Sequence, residues 1–464
     1  MQACIYEVSG GRRLPGSEPI PHYGSPGRGA TGGDSAKPAD ELQEDAVTGT
    51  AGNPASGTTA GIPDYDLTRS AKCPLDPAPA MRDRQQEGPL VRVRLWDGGT
   101  AWLVTGHAEH RAVLGDPRVS VEPRRGIPRL SALEAEAMDS LAEDGSDGIG
   151  FIMMDDPEHA RLRRMVTSAF TVRRVAAMRP ATQKIADDLI DAMLAGPKPA
   201  DLVEAFALPL PSLVISGLLG VPYDDHEFFQ ANSRTIINRN STSEQRREAQ
   251  YRLGAYLDGL LGHKLARPGD DLLSGLAARV TAGELPRLEA VRMSVLMLFA
   301  GHETTANMIT LGTLALLQHP DQAALLREGD DPKPVATAVE ELLRYLTITH
   351  GGLRRVALED IEIAGRTIRA GEGILAVNET ANRDPSVFPD PDRLDLQRDA
   401  RLHATFGHGV HHCLGQPLAR MELQVAYPTL LRRVPTLALA AEVEQIPFKH
   451  DGFVYGAYEL PVTW

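Results

Sequence analysis

Between Glu289 and Leu317 the residues are apolar on every side of a 3.6-residue period. At about 1.5 Å of rise per residue a helix of that length crosses most of a domain. A helix that is hydrophobic all round belongs in the centre of a fold, so the polar run His302, Glu303, Thr304, Thr305 and Asn307 in its middle needs a chemical reason. The pattern predicts further helices over Ala181–Leu194, Leu202–Leu219, Asp225–Ile237 and Ser243–Leu265, divided by Gly, Pro and Asn. Another spans Val335–Tyr345 and sets Glu341 and Arg344 three apart on one face. Apolar positions at Leu414, Leu418, Met421 and Val425 start one more helix. Asp156 and Pro157 make a helix start, as cap and first-turn residue, with His159 and Arg163 following on one face.

Period-two segments are few and short. Val91–Trp96, a turn at Asp97–Thr100 and Ala101–Thr105 read as a hairpin, followed by a short helix from His110 to Leu114. After Leu353 come Ile361–Ile363, Thr367–Ile368 and Gly373–Val377, and beyond Thr436 more strands with a turn at Gly452–Gly456. The fold class expected is mainly α (α+β), helix-rich with small sheets. From Gly10 to about Pro63 the chain is rich in Gly, Pro, Ser, Ala and Thr without periodicity, and cannot bury enough surface to offset its conformational entropy. The expected organisation is a disordered segment over 1–63 and one folded domain over 64–464. Ser120–Gly150 reads as a long polar connection with one short helix around Leu133–Leu141, and long connections inside domains are often functional.

Bulk composition narrows the classes. With 464 residues, 42% hydrophobic and 24% charged, the chain has ample length for a sizeable core. Its formal net charge of -14 argues against a general nucleic-acid binder. The 3 cysteines, Cys4, Cys73 and Cys413, are too sparse for a disulfide framework and suggest a reducing compartment. No signal peptide is evident, and the one long apolar stretch is interrupted by Arg292, His302, Glu303 and Asn307, so no membrane anchor and a cytoplasmic location are expected.

The chemistry centres on Cys413. Glycines before it permit a loop that a flat object approaches closely, and the helix N-terminus after it favours a thiolate. A thiolate so presented suits a large soft metal site such as haem iron. A lone cysteine is more often a small buried hydrophobe, and the histidines near it are ordinary loop residues by themselves; the combination is what points to a ligand. Phe406, Gly407, Gly409, His411, Cys413 and Gly415 stand at the spacing FGxGxHxCxG, which resembles the haem-binding loop of the cytochrome P-450 superfamily. Ala300-Gly301-His302-Glu303-Thr304-Thr305 resembles that family's oxygen-activation motif, Glu341-Leu342-Leu343-Arg344 its ExxR, and His159 with Arg163 its HxxxR. Arg355 matches the arginine before its first sheet return, and Arg393 falls where the third member of its Glu-Arg-Arg network sits. These signatures keep the family's order over most of 64–464.

The resemblance implies a triangular-prism fold with haem b between the long central helix and the cysteine-loop helix, and Cys413 as axial iron ligand. Thiolate ligation favours cleavage of the O–O bond. His159, Arg163, Arg355 and His411 would hold the haem propionates by charge-assisted bonds. Ala300 and Gly301 would line the haem, with Gly301 letting the central helix deform, and Glu303 and Thr304 would form the acid and alcohol relay for protons. Glu341, Arg344 and Arg393 would be a structural ion network. Thr304 has a plainer alternative, a hydroxyl satisfied by a backbone carbonyl, and His302 reads as packing or polar lining.

The activity implied is that of a monooxygenase that hydroxylates or epoxidises a medium-to-large organic molecule, macrolide or steroid-like, with O2 and with electrons from NAD(P)H through a ferredoxin reductase and a ferredoxin. Oxidative coupling within the family, and a haem sensor or electron carrier without turnover, are the alternatives; a peroxygenase ranks low because Glu303 and Thr304 are both present. The chain is expected to be a monomer. Arg161, Arg164, Arg173 and Arg174, a basic run in an acidic protein, suggest a docking face for an acidic ferredoxin, although most charge runs are solvated helix faces. Substrate contacts are expected in Ser120–Gly150, Phe228–Asn240, the face near Leu298, Thr347–Gly352, and at Phe453 and Val454.

Overall fold

The computed structural model describes residues 61–132, 134–135, 150–237, 241–328, 331–450 and 454–464. Most of the 1–63 segment and of the short helix expected at Leu133–Leu141 lies outside these residues. Where the described chain begins it is tied to a strand: the Arg94 amide donates to the Pro63 carbonyl at 2.8 Å, and the Tyr65 amide to the Arg94 carbonyl at 2.9 Å.

Helix α1 (Pro79–Glu87) leads into the hairpin β1 (Leu90–Arg94) and β2 (Thr100–Val104), with Val91 opposite Leu103 and Val93 opposite Ala101. Helix α2 (His107–Gly115) and β3 (Val119–Ser120) follow. In α3 (Glu158–Thr167) the cap position is Pro157 rather than the expected Asp156, yet the Asp156 carboxylate still accepts the Ala160 amide at 3.0 Å and so covers a free N–H of the first turn. Helix α4 (Val172–Ala195) begins before the expected Ala181 because it runs through Pro180, and β4 (Ala200–Asp201) follows it. The single helix expected over Leu202–Leu219 is two pieces, a π turn over Val203–Ala207 and α5 (Pro209–Leu219). Pro209 and Pro211 lack the amide that would continue the ladder between them.

Helix α6 (His226–Ile237) precedes α7 (Ser243–Ala266), whose capping box has the Gln245 amide on the Thr242 hydroxyl and the Thr242 amide on the Gln245 side chain. A helix that hydrophobic periodicity did not reveal, α8 (Leu272–Thr281), starts where Asp271 accepts the Ser274 amide at 2.8 Å. The long central helix is α9 (Arg287–Gln318), followed by α10 (Pro320–Arg327) and α11 (Pro332–Tyr345). Strands β5 (Leu353–Ala357), β6 (Ile361–Ile363), β7 (Arg366–Ile368) and β8 (Gly373–Ala376) lead to the short α12 (Asn378–Ala381). Helix α13 (Gln416–Arg433) and strands β9 (Ala438–Leu439) and β10 (Pro461–Thr463) complete the chain.

The main sheet has the order β1-β2-β8-β5-β3, parallel only between β2 and β8. Strand β10 lies between β4 and β9. Helix α9 packs against α5, α7 and α13 and is buried along most of its length. Its approach to α13 is close enough that a Cβ on Gly312 would lie 2.1 Å from the Tyr427 hydroxyl, which donates to the Met308 carbonyl at 2.5 Å. Mainly α with small sheets is thus the observed class. No helix among the described residues is long and apolar enough to cross a membrane.

The interior also holds a titratable ring. His110 on α2 is fully buried, its Nε2 is 2.8 Å from Asn378 Oδ1, and burial pushes its pKa down to about 4. An exposed imidazole titrates near 6.5, so below that value the unfolded chain binds a proton that the folded chain refuses. Stability should therefore fall as pH drops from about 6.5 to about 4 and change little further below through this group. Urea unfolding at several pH values should show a shallower acid slope in His110→Leu than in the wild type; an equal slope would show that the ring is not held neutral.

Candidate active site

The loop before α13 is shaped by backbone. Gly407 and Gly409 have φ of 69° and 74°, and a Cβ on Gly409 would lie 2.2 Å from the Leu114 carbonyl, so the loop rests directly on α2. The Cys413 amide donates to the Phe406 carbonyl at 2.9 Å and closes the loop. The Cys413 side chain is exposed, which means it borders open space. Surrounding protein pushes the thiol pKa up, while the Gly415 and Gln416 amides and the Arg163 and Arg420 cations act in the opposite direction.

Behind the loop stands a cluster that the linear motifs did not indicate. Arg420, in the first turns of α13, donates to both Glu340 oxygens at 2.6 and 2.9 Å, and its guanidinium lies 4.6 Å from the centre of the Phe406 ring. His403 Nε2 is 3.1 Å from Glu340 Oε2. Burial would raise the Glu340 pKa, but the bonds from His403 and Arg420 prevail and hold it at about 2. The only sequence sign was a second acid beside Glu341, about 100° further round α11.

On another side the structure gathers His159, Arg163, Arg355 and His411 from three separate segments. The His159 and His411 rings are 4.1 Å apart between centroids. His159 Nδ1 is 3.0 Å from Asp156 Oδ1, and its buried Nε2 has no partner. Arg163 donates to the His412 carbonyl at 2.5 Å and Arg355 to the Arg354 carbonyl at 2.8 Å. Neither guanidinium makes an ion pair with a carboxylate among the described residues, though burial lowers the Arg355 pKa to about 10. Burial, with the neighbouring His159, Arg355 and Arg163, also drives the His411 pKa down to about 3. A buried and a half-buried guanidinium without an ion pair, beside an orphan ring nitrogen, are costly, and they fit a ligand that brings its own carboxylates.

A further open stretch is the middle of α9. Ala300 is exposed and Gly301, Glu303 and Thr304 are partly so, in a helix otherwise buried on both sides of them. The helix continues through Gly301 without the interruption expected there. Glycine leaves space instead, since a Cβ would stand 3.0 Å from Ile215 Cδ1 of α5, a tight contact. The Thr304 hydroxyl donates to the Ala300 carbonyl at 2.7 Å and Asn307 to the Glu303 carbonyl at 2.8 Å. His302 is buried against protein, with burial pushing its pKa down to about 4. Leu298 points into the core rather than into open space. Phe453 and residues 133 and 136–149 lie outside the described residues.

The ion network differs from expectation in one member. Arg344 makes two bonds to Glu341, at 2.7 and 2.8 Å, with both side chains fully buried. It also donates to the carbonyls of Asn382, Pro391 and Arg393. Arg393 takes part through that carbonyl; its side chain is exposed. The third side chain is Arg398, whose Nε lies 3.2 Å from Glu341 Oε1. An ExxR-to-arginine spacing does not specify which of two nearby arginines turns inward.

Residues 334–458 match the family model described as Cytochrome P450. The chain is similar to cytochrome P450 GfsF of Streptomyces halstedii, with 54% identity over 417 residues that cover 89% of this chain and 98% of that protein. The crystal structure of GfsF matches with a TM-score of 0.82 at 53% identity, over 87% of this chain and 100% of the other. Mycinamicin VIII C21 methyl hydroxylase of Micromonospora griseorubida is 44% identical over 384 residues, 82% of this chain and 95% of its own. Its crystal structure with bound mycinamicin VIII matches with a TM-score of 0.74 at 43% identity, over 83% and 96% of the two chains.

The network assignment is open to measurement. Arg344→Ala, which leaves Glu341 buried without its main partner, should cost about 3–5 kcal/mol. Arg398→Ala should cost less and Arg393→Ala no more than about 0.5 kcal/mol, as at ordinary surface sites. Urea midpoints that rank Arg393→Ala as more damaging than Arg398→Ala would restore the expected arrangement.

Proposed function

We propose, from the premise that this chain belongs to the cytochrome P450 family, that its chemistry acts on a medium-to-large organic molecule of the macrolide or steroid-like class. As a member of that family it is a haem-thiolate monooxygenase, which consumes O2, an organic substrate and electrons from redox partners. The observation that carries the site reading is the meeting of an open Cys413 side chain with a half-buried Arg163 and a buried Arg355, neither ion-paired among the described residues, and with the unpartnered Nε2 of His159.

In this reading the cofactor is haem b, with Cys413 as its iron ligand and His159, Arg163, Arg355 and His411 as partners of its propionates. When bound, it supplies O2 binding and O–O cleavage at a thiolate-ligated iron. The chain's own part is to hold and to deliver. The Gly415 and Gln416 amides and the two nearby guanidiniums stabilise negative charge on Cys413. Phe406, pinned under Arg420, covers the loop. Thr304 spends its proton on the Ala300 carbonyl and keeps its oxygen lone pairs for an incoming donor. Glu303, partly exposed, takes protons from the solvent side and passes them toward Thr304 Oγ1. Glu341, Arg344 and the carbonyl of Arg393 hold the segment that leads to the loop.

Electrons arrive from a ferredoxin reduced by its reductase. Of the basic run, Arg161 is paired with Glu158 and Glu289, and Arg174 with Asp270. Arg164 and Arg173 are exposed and are the positions through which an acidic ferredoxin would be attracted. The protein works as a monomer. The macrolide part of this reading is supported by the mycinamicin VIII hydroxylase among the relatives.

Cys413→Ser should abolish the red-shifted Soret band of the reduced carbon monoxide complex. Thr304→Ala should keep that band while most NAD(P)H ends as H2O2 instead of product. Retention of the band in Cys413→Ser sinks the ligand assignment, and unchanged coupling in Thr304→Ala sinks the relay. A titration panel of macrolides and steroids read by the low-to-high-spin Soret shift tests the substrate class, which fails if none of them shifts the band.

A further inference from the structure

Near the C-terminus, segments 447–450 and 454–458 pair as a hairpin against the same face of α9 that carries Glu303. They are held by the Lys449 amide on the Gly456 carbonyl and the Tyr458 amide on the Pro447 carbonyl, each 2.8 Å. Gly456 presses so closely on α9 that an added Cβ would lie 1.7 Å from Asn307 Oδ1. Asn307 in turn donates to the Glu303 carbonyl. On its other side the hairpin joins the segment after α11, through the Tyr455 amide on the Ile348 carbonyl at 2.7 Å and a β-bridge between Thr349 and Val454.

Lys449 is 8% exposed, and its Nζ lies 3.5 Å from Glu303 Oε1 and 5.6 Å from the centre of the Tyr458 ring. Glu303 is its one ion-pair partner among the described residues. A buried ammonium without a counter-charge is strongly unfavourable, whereas the Glu303 side chain is 31% exposed and could be hydrated without Lys449. The pair therefore constrains Glu303: the lysine is fixed by burial and draws the carboxylate to the hairpin.

We propose that Lys449 is a positioning residue for proton delivery, which holds the Glu303 carboxylate at a fixed place beside Thr304. The location of the acid is then set by the C-terminal hairpin as well as by α9, and through Ile348 and Thr349 by the segment at which substrate contact is expected. This rests on the reading of Glu303 as the relay acid, and the test separates the two.

The measurements use the full chain with haem and redox partners: product and H2O2 per NAD(P)H, the solvent isotope effect on turnover, and the reduced carbon monoxide spectrum as a check on the fold. Lys449→Gln should keep the spectrum, lower coupling severalfold and enlarge the isotope effect. Lys449→Arg should restore most of the coupling, and in a Glu303→Gln background Lys449→Gln should add nothing. Wild-type coupling in Lys449→Gln, with Glu303→Gln strongly uncoupled, overturns the role of Lys449 and leaves the relay standing. Wild-type coupling in Glu303→Gln overturns the relay itself. An additive loss in the double variant would mean that Lys449 acts on something other than Glu303, and the proposal falls. Should Lys449→Gln lose the spectrum, Lys449→Met, which also removes the charge, replaces it in every comparison.

Discussion

A fully buried carboxylate on Glu341 is the constraint on which the active-site architecture depends. It receives two bonds from Arg344, one from Arg398 and one from the Asp395 amide. Arg344 then uses its remaining donors on three carbonyls of the 382–393 segment. A stretch with little regular structure is thereby fixed by charge-assisted bonds in a dry interior, where they are strong and where a missing partner is severely felt. Asn382 passes the order on, accepting the Ala404 amide at 2.6 Å and donating to the Thr405 hydroxyl at 3.0 Å. The loop that presents Cys413 begins at that point.

The surroundings of the loop show an opposite electrostatic principle. Around Glu341 every buried charge has its partner. Around Arg163 and Arg355 neither guanidinium has an ion-pair partner among the described residues, and a buried ring nitrogen of His159 goes unused. Such imbalance is unfavourable in an isolated protein, and under the proposed reading the propionates of a bound haem would relieve it. Family membership and this local imbalance are independent lines toward the same cofactor.

Several polar residues in the middle of α9 are tolerated because they bond back to carbonyls four residues earlier, as Thr304, Asn307 and Thr310 do. Glu303 cannot do this, being a carboxylate that only accepts. Its charge is met from outside the helix by Lys449, which links the most local motif in the sequence to the last part of the chain. One helix thus depends on a hairpin distant in the chain for the orientation of one acid.

The sequence by itself determined the class of the fold, the long central helix, the hairpin, and the residue types that meet at the site, because periodicity and short motifs are properties of neighbours along the chain. It also determined Cys413 and the Glu303–Thr304 pair as the places to look, and similarity over nearly the whole chain agrees with the family they resemble. Tertiary structure decided what depends on which way a side chain turns. Arg398 rather than Arg393 faces Glu341, Gly301 makes room for Ile215 without breaking the helix, and Pro180 lies inside a helix it was expected to precede. Glu340, His403 and Arg420 come together behind Phe406 from positions up to 80 residues apart, and Lys449 reaches Glu303 across the core. Such pairings follow from packing of distant segments, where burial makes one contact obligatory and leaves no mark on the local pattern of residues.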